Sequence, residues 1–378
     1  MPEKPNVLFL LPSLKRAGAE TQMVDLINNI NRKEFNIHVV TFLNDFSLLK
    51  RLNTKDINYQ YIPRRSKFAV GYLFSLKTFI KKHNIRLIHC TIQFSLLVAW
   101  LSLAITLFKK KIKLICAIHT TINVRLKGDL IDRFIYSKLL RQCEEIIFVC
   151  RAQRDYWVAK YPELKKASKV VYNGVDIRRY DPEICEVQGT RLIESLNISP
   201  ECRIIACIAG FRPEKRHDKL LRVFARLPND YRLLLAGDGP LKQEMEDYAT
   251  QLGVMERTYF LGNMSDVRPV LAVADITVLA STAVETFSIA MLESLSMNTP
   301  VIAPDIGGLK EAIGLSPCNG AVYSIGNEDA FYKAIIQFDN SCEEKRCESP
   351  RGCVKRYFDN RHMARQTVRI ISKSMHRG

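Results

Sequence analysis

No run in these 378 residues is apolar for the roughly 20 positions that a membrane-spanning helix needs. The longest uncharged apolar run covers residues 94–108 and ends at Lys109-Lys110-Lys111. It reads as a helix packed inside an α/β domain, with contact to a membrane surface as the second reading. Cysteine is present eleven times, an odd number, and never as C-x-x-C. That excludes a disulfide framework of the secreted type and points to reduced thiols in a reducing compartment. Cys342, Cys347 and Cys353, with His362 beyond them, fit no common zinc spacing. Low-complexity tracts and internal repeats are missing, which excludes linkers and solenoids. The chain has no Walker A loop, no G-x-S-x-G, no H-E-x-x-H and no G-x-G-x-x-G. P-loop, serine-hydrolase, zincin and dinucleotide-dehydrogenase chemistries lose their usual signatures. No D-x-D lies on an expected strand-end loop, so a carboxylate-held divalent metal is disfavoured and no cofactor is expected.

Acidic residues are scarce in one half only. Residues 1–175 carry 12 Asp+Glu against 30 Lys+Arg, a net +18, while the remainder carries −1. A field of that sign attracts nucleic acid, anionic lipid or a phosphorylated substrate. The aromatic and basic interleaving of common RNA modules is missing, so nucleic acid is not the expected partner. The N-terminal apolar run 7–11 superficially resembles a signal peptide. Pro12 interrupts it and Lys15-Arg16 follow, so it reads better as a buried first strand.

What is present is alternation. Short apolar runs at 7–11, 37–42, 87–89, 114–118 and 146–149 are separated by helical patterns at 20–30, 75–82, 94–108 and 130–141. The second half repeats this. Strands are expected at 204–208, 232–235, 258–261, 276–279 and 300–303, with helices at 218–226, 241–252, 289–296 and 328–338. Runs apolar at consecutive positions mark strands buried on both faces, hence parallel sheets covered by helices. Two such series predict two doubly wound Rossmann-like domains facing one cleft, joined near 173–182. The expected divisions are 1–176, 177–354, and a C-terminal helical segment 355–378 (its helix at about 355–374) packing back on the first domain.

Candidate chemistry sits where strands end. Gly210, Arg212 and Lys215 follow strand 204–208 and precede a helix. Arg grips phosphate oxygens through paired N–H groups, and Lys adds a compact charge. Gly237, in Leu235-Ala236-Gly237-Asp238-Gly239-Pro240, permits a tight turn and close ligand approach. Glu285 and Glu293 bracket Thr286-Phe287-Ser288-Ile289-Ala290-Met291-Leu292. Glu285 falls in a loop and Glu293 about one turn inside a helix. Between them, backbone N–H groups at Ser288, Ile289 and Ala290 open the helix toward a diphosphate. One carboxylate can then accept from sugar hydroxyls and the other from ribose hydroxyls. In the first half, Lys15-Arg16-Ala17-Gly18-Ala19-Glu20 forms a loop that brings backbone near a ligand. His119 ends strand 114–118. His89, at another strand end, reads as a packed residue.

Taken in order, these segments resemble the family 4 retaining glycosyltransferases of GT-B fold. The matching pieces are Gly18-Ala19-Glu20, Tyr172-Asn173-Gly174-Val175-Asp176, Arg212 with Lys215, Gly237-Asp238-Gly239-Pro240 and Phe260-Leu261-Gly262. They continue with Glu285 to Glu293, Pro300-Val301-Ile302-Ala303 and Gly307-Gly308. The resemblance runs from about residue 6 to about residue 370. It implies an acceptor-binding first domain and a second domain that holds a nucleotide-sugar. It implies that Arg212 and Lys215 neutralise the leaving diphosphate, Glu293 binds ribose and Glu285 binds the donor sugar. Backbone near Met264 meets the base, and His119 lies near the reacting carbon. Gly18, Gly210, Gly237 and Phe287 complete the donor set. The implied reaction is metal-independent and front-face, with the leaving phosphate taking the acceptor proton. Four departures from the pattern stand out: Ala17 where Gly is usual, Phe211 where Arg is usual, Arg216 where Gly is usual, and Thr91 where a second His often follows the one matching His89.

The expectation is therefore a cytoplasmic enzyme, peripheral on the inner face of the cytoplasmic membrane, that extends a glycan or lipid-linked acceptor. A nucleotide-sugar epimerase and a non-catalytic glycan-binding paralogue are the alternatives.

Overall fold

The computed structural model describes residues 4–66, 68–104, 112–119, 131–282, 285–341 and 347–376. The chain divides into two compact units, 1–174 with 360–378, and 175–359.

The first unit holds a sheet in the order β3-β2-β1-β4-β5-β6-β7, every pairing parallel. The strands are β1 (Asn6–Leu10), β2 (Asn36–Thr41), β3 (Ile57–Tyr61), β4 (Leu87–Thr91), β5 (Lys113–Ile118), β6 (Glu145–Phe148) and β7 (Ser168–Val170). Consecutive apolar residues are needed because each face feeds a different core. Val7, Phe9 and Leu11 enter one core with Met363, Ala364 and Ile371 of the final helix. Leu8 and Leu10 enter the other, beneath helices Gly71–Lys82 and Ile92–Ala104. The described part of this helix, Ile92–Ala104, covers thirteen residues, about 20 Å at 1.5 Å per residue. Among the described residues no helix is long and apolar enough to cross a membrane. Residues 105–108 of the expected helix 94–108 lie outside the described residues.

The second unit holds β8 (Arg203–Ile208), β9 (Tyr231–Ala236), β10 (Thr258–Gly262), β11 (Ile276–Val278), β12 (Val301–Pro304) and β13 (Gly320–Tyr323). Their order is β10-β9-β8-β11-β12-β13, again wholly parallel. Alternation works here too. Ile205, Cys207, Leu233 and Leu235 face one core, and Ile204, Ala206, Leu234 and Ala236 the other.

The structure corrects several expectations. Strands β3, β7 and β13 were not legible as apolar runs. All three lie at sheet edges, where one side of the strand is unpaired and most residues are only half-buried. The helix expected at 130–141 is a π-type turn at Asp132–Tyr136 followed by Ser137–Leu140, and residue 130 lies outside the described residues. The C-terminal helix expected over 355–374 is two helices, Pro350–Tyr357 and Asn360–His376. The break is tertiary. Phe358 and Asp359 leave helical geometry to lie beside Val175: Val175 N–H donates to the Phe358 carbonyl at 2.8 Å, and Val175 bridges Asp359. In the first unit, Asn360–His376 packs against helix Gly18–Asn29. A Cβ on Gly174 would come within 2.6 Å of Asn360 Cα, so that return path needs glycine. The reduced-thiol expectation fails at one pair: Cys318 and Cys347 form a disulfide, with Cα atoms 6.3 Å apart. Cys342 lies outside the described residues and Cys353 is a free, buried thiol.

Candidate functional site

In doubly wound sheets the chain reverses its winding between the first and fourth strands, and ligands bind beyond their carboxyl ends. In the second unit those strands are β8 and β11. The loop after β8 is fastened to the loop after β9 through backbone alone. Ala209 N–H donates to the Ala236 carbonyl at 3.0 Å and Phe211 N–H to the Asp238 carbonyl at 3.1 Å. A Cβ on Gly237 would lie 2.0 Å from the Ala209 oxygen, and one on Gly239 2.5 Å from that of Phe211. No other residue fits these two positions. A Cβ on Gly210 would meet the Asp238 oxygen at 3.1 Å. Gly237 N–H also donates to the Gly262 carbonyl at 2.8 Å, which joins the loop carrying half-buried Met264 to the same backbone assembly.

Phe211 is fully buried, stacked on His217 with ring centroids 4.2 Å apart. It is therefore a core anchor and leaves Arg212 as the exposed cation of this loop. Arg212 forms no ion pair among the described residues. Lys215 pairs with Glu285, whose side chain is 8% exposed. The Glu285 Oε1 that takes Lys215 also accepts from Ser281 Oγ at 2.9 Å. Thr282 N–H donates to the Glu214 carbonyl at 3.2 Å, so the loops after β8 and β11 are joined by backbone as well as by charge.

Beyond Glu285 the chain enters helix Ile289–Ser296, capped by Ser288 Oγ accepting from Met291 N–H at 3.3 Å. Ile289 and Ala290 are half-buried, with helix-opening N–H groups that have no intrahelical acceptor. The Phe287 side chain is buried against Phe358, centroids 5.4 Å apart, so only its backbone can serve a ligand. Glu293 is half-buried and accepts from Tyr180 Oη. Gly307 (φ +54°) lies against this loop, and Gly308 N–H donates to the Thr286 carbonyl at 2.7 Å. Thus Gly210, Arg212, Lys215, Gly237, Glu285, Ser288 and Glu293 occupy strand-end loops or the helix start of one sheet. Ser281, Gly307 and Tyr180 join them without having been expected as site residues. Gly307 belonged to a recognisable Gly-Gly pair, but Ser281 and Tyr180 have no local signal.

The first unit holds the other two expected residues. Gly18 is the first residue of helix Gly18–Asn29 and is exposed, after Ala17, which supplies no side-chain cap. Buried Glu20 in that first turn lies 3.6 Å from Lys15 Nζ. Gln22 makes a two-way contact with Gly174, donating to its carbonyl and accepting from its N–H, both at 2.8 Å. His119 follows β5 and helps line a cavity of about 20 Å³ with Gln22, His89, Val149 and Asn173. Its Nε2 and both ring nitrogens of His89 are buried without a hydrogen-bond partner among the described residues. Burial pushes His119 down to about 4 and His89 down to about 3, the latter also disfavoured by His119. Both rings are neutral near pH 7, so each has one donor and one acceptor nitrogen. Among the described residues no three His, Cys, Asp or Glu side chains converge as a metal site.

A family model described as Glycosyltransferase Family 4 matches residues 16–179, and one described as Glycosyl transferases group 1 matches residues 190–349. The chain is 30% identical over 216 residues to N-acetyl-alpha-D-glucosaminyl L-malate synthase of Bacillus anthracis, covering 56% of this chain and 54% of that protein. It is 22% identical over 278 residues to a 4-alpha-N-acetylgalactosaminyltransferase of Campylobacter jejuni acting on a diphospho-undecaprenol-linked sugar, covering 72% and 73%. The chain spans about half the length of the first curated relatives it matches. Among solved structures, Anabaena HepE in complex with UDP superposes with a TM-score of 0.82 at 20% identity, covering 97% of this chain and 100% of that one. A glycosyltransferase from Rickettsia africae superposes with 0.82 at 18% identity, covering 99% and 100%. At such identities these likenesses speak for the fold.

Proposed function

Because the chain belongs to glycosyltransferase family 4, we propose that it transfers a sugar from a nucleotide-sugar to a glycan or lipid-linked acceptor, with retention and without a metal. The observation that carries this reading is the Lys215–Glu285 pair beyond β8 and β11, next to the start of the helix that bears Glu293. Cleaving the sugar–phosphate bond builds negative charge on the departing diphosphate. Lys215, exposed Arg212 and the free N–H groups at Ile289 and Ala290 supply the opposite charge and dipole where it builds. Glu285, held by Ser281 and Lys215, offers its remaining lone pairs to donor-sugar hydroxyls. Glu293 accepts from the ribose. Retention follows if the acceptor hydroxyl enters on the face the phosphate leaves, with the phosphate oxygen taking its proton. His119, neutral at pH 7, is assigned to the reacting end of the site.

The first experiment is thermal shift with UDP, GDP, ADP, dTDP and CMP, each with and without EDTA. One nucleotide should raise Tm in both conditions, and Glu293→Ala should diminish the shift. No shift with any nucleotide at millimolar concentration would refute the donor site. A shift abolished by EDTA would refute metal independence.

The acceptor half of the proposal includes a peripheral, anionic membrane surface. It is supported by the net +18 of residues 1–175 and by apolar side chains left in solvent in the first unit. Phe68 is 93% exposed, and Val70, Phe74, Ile131, Phe134 and Ile135 are also exposed. Basic residues attract an anionic leaflet and inserted aromatics hold the protein there. Flotation should show binding to vesicles containing phosphatidylglycerol over neutral ones at 0.15 M salt, lowered by Phe68→Ser with Phe74→Ser. Equal recovery with both vesicle types would sink the membrane part alone.

A further inference from the structure

Glu293 sits on a flexible stem, yet a carboxylate that grips a ribose diol must hold its oxygens toward two adjacent hydroxyls. The structure shows what holds it. Tyr180 Oη donates to Glu293 Oε1, which fixes the rotation of the carboxylate about its stem. Tyr180 is 5% exposed, so its phenol has little freedom to swing away. Its backbone is fixed as well. The Tyr180 carbonyl accepts from Ser296 Oγ at 3.0 Å and from Arg351 Nη1 at 2.5 Å. Ser296 ends the helix that carries Glu293. Arg351 Nη1 also donates to the Ser296 carbonyl at 2.8 Å, while Nη2 donates to the Ile177 carbonyl at 3.0 Å and to Asp181 Oδ2 at 2.7 Å. One guanidinium therefore ties the Tyr180 segment to the C-terminal end of the Glu293 helix, and the phenol ties it again one turn earlier. A planar fork with five N–H donors suits this task and a lysine does not.

Neither Tyr180 nor Arg351 falls within the two segments matched by the family models, 16–179 and 190–349. No resemblance assigned them a role. From this geometry we infer that Tyr180 is a positioning residue of the donor site. Its hydroxyl orients the Glu293 carboxylate toward the ribose diol, and Arg351 locks Tyr180 in place. The inference rests on the donor-site reading above.

The test separates the two. Calorimetric titration of the whole chain with UDP, GDP and ADP identifies the nucleoside diphosphate it binds, and the 2′,3′-dideoxy form of that nucleotide is then titrated. Tyr180→Phe removes one hydroxyl and no packing volume. It should weaken the ribonucleotide about tenfold, as expected for losing one charge-assisted hydrogen bond. It should leave the dideoxynucleotide within twofold of wild type, and have no further effect in a Glu293→Ala background. Arg351→Gln should show the same ribose-dependent loss, which keeps the test open if Tyr180→Phe folds poorly. A Tyr180→Phe protein that binds the ribonucleotide as wild type does, or loses both nucleotides equally, overturns the positioning role. A wild-type protein that binds none of the three, nor dTDP or CMP, overturns the donor-site reading instead; one that binds only dTDP, which lacks the ribose diol, overturns the positioning role.

Discussion

Lys215→Ala is expected to lower turnover by about 10²–10³-fold, the usual effect of removing one group that stabilises developing transition-state charge. The same substitution should also lower stability. It strands the Glu285 carboxylate, 8% exposed, with Ser281 as its remaining side-chain donor among the described residues. Breaking a largely buried pair from one side costs about 3–5 kcal/mol, and Lys215 at 26% exposed puts this pair near the lower end. The two effects can be separated. Lys215→Ala combined with Glu285→Gln removes the stranded charge, so Tm should recover while turnover does not. The measurement is kcat and Tm for both variants against wild type. Near wild-type kcat in Lys215→Ala would show that the departing diphosphate is neutralised elsewhere. Recovery of turnover in the double variant would show that the pair matters only for folding.

Gly307→Ala is expected to lower kcat/KM by about 10²-fold or more while leaving most of the fold intact. Gly307 has φ +54°. A Cβ there would sit 1.8 Å from the Glu285 carbonyl oxygen and 2.9 Å from that of Thr286. Both contacts are backbone, so no side chain can rotate away. The loop carrying Glu285 must move, and a displacement near 1 Å of a positioned group costs on the order of 10²-fold in rate. Gly253→Ala is the control. Gly253 has φ +68° but open space where a Cβ would stand. It carries only the intrinsic cost of a left-handed non-glycine residue, about 1–2 kcal/mol, and should keep full activity. The pair isolates steric displacement of the site from backbone strain. If Gly307→Ala keeps activity within threefold, the Glu285 loop is not held where the structure places it.

The sequence determined by itself what depends on short-range patterning. Val7, Leu8, Phe9 and Leu10 are all fully buried because the sheet has a core on each face, and a run of that kind can be read without knowing the partners. The same holds for the glycines and charges that follow strands, since strand ends are where such loops must fall. Two doubly wound units and the order Gly210, Lys215, Gly237, Glu285, Glu293 followed from this.

Tertiary structure alone decided what depends on residues far apart in the chain. Lys215 meets Glu285 seventy residues on, and Tyr180 meets Glu293 across 113 residues. Arg351 reaches the Tyr180 carbonyl across 171. Edge strands β3, β7 and β13 have mostly half-buried residues and were not legible, whereas the edge strand β10 keeps the apolar run Tyr259-Phe260-Leu261 and was legible. The helix break at Phe358-Asp359 exists because Val175 lies alongside, although the residues on either side are helical. Phe211, at a position that suggests a phosphate contact, is instead buried on His217, because the packing around it is set by partners that loop spacing does not reveal. Local patterns fix which backbone segments form and where their loops lie. Which side chains meet in those loops is fixed by contacts whose partners are tens to hundreds of residues away.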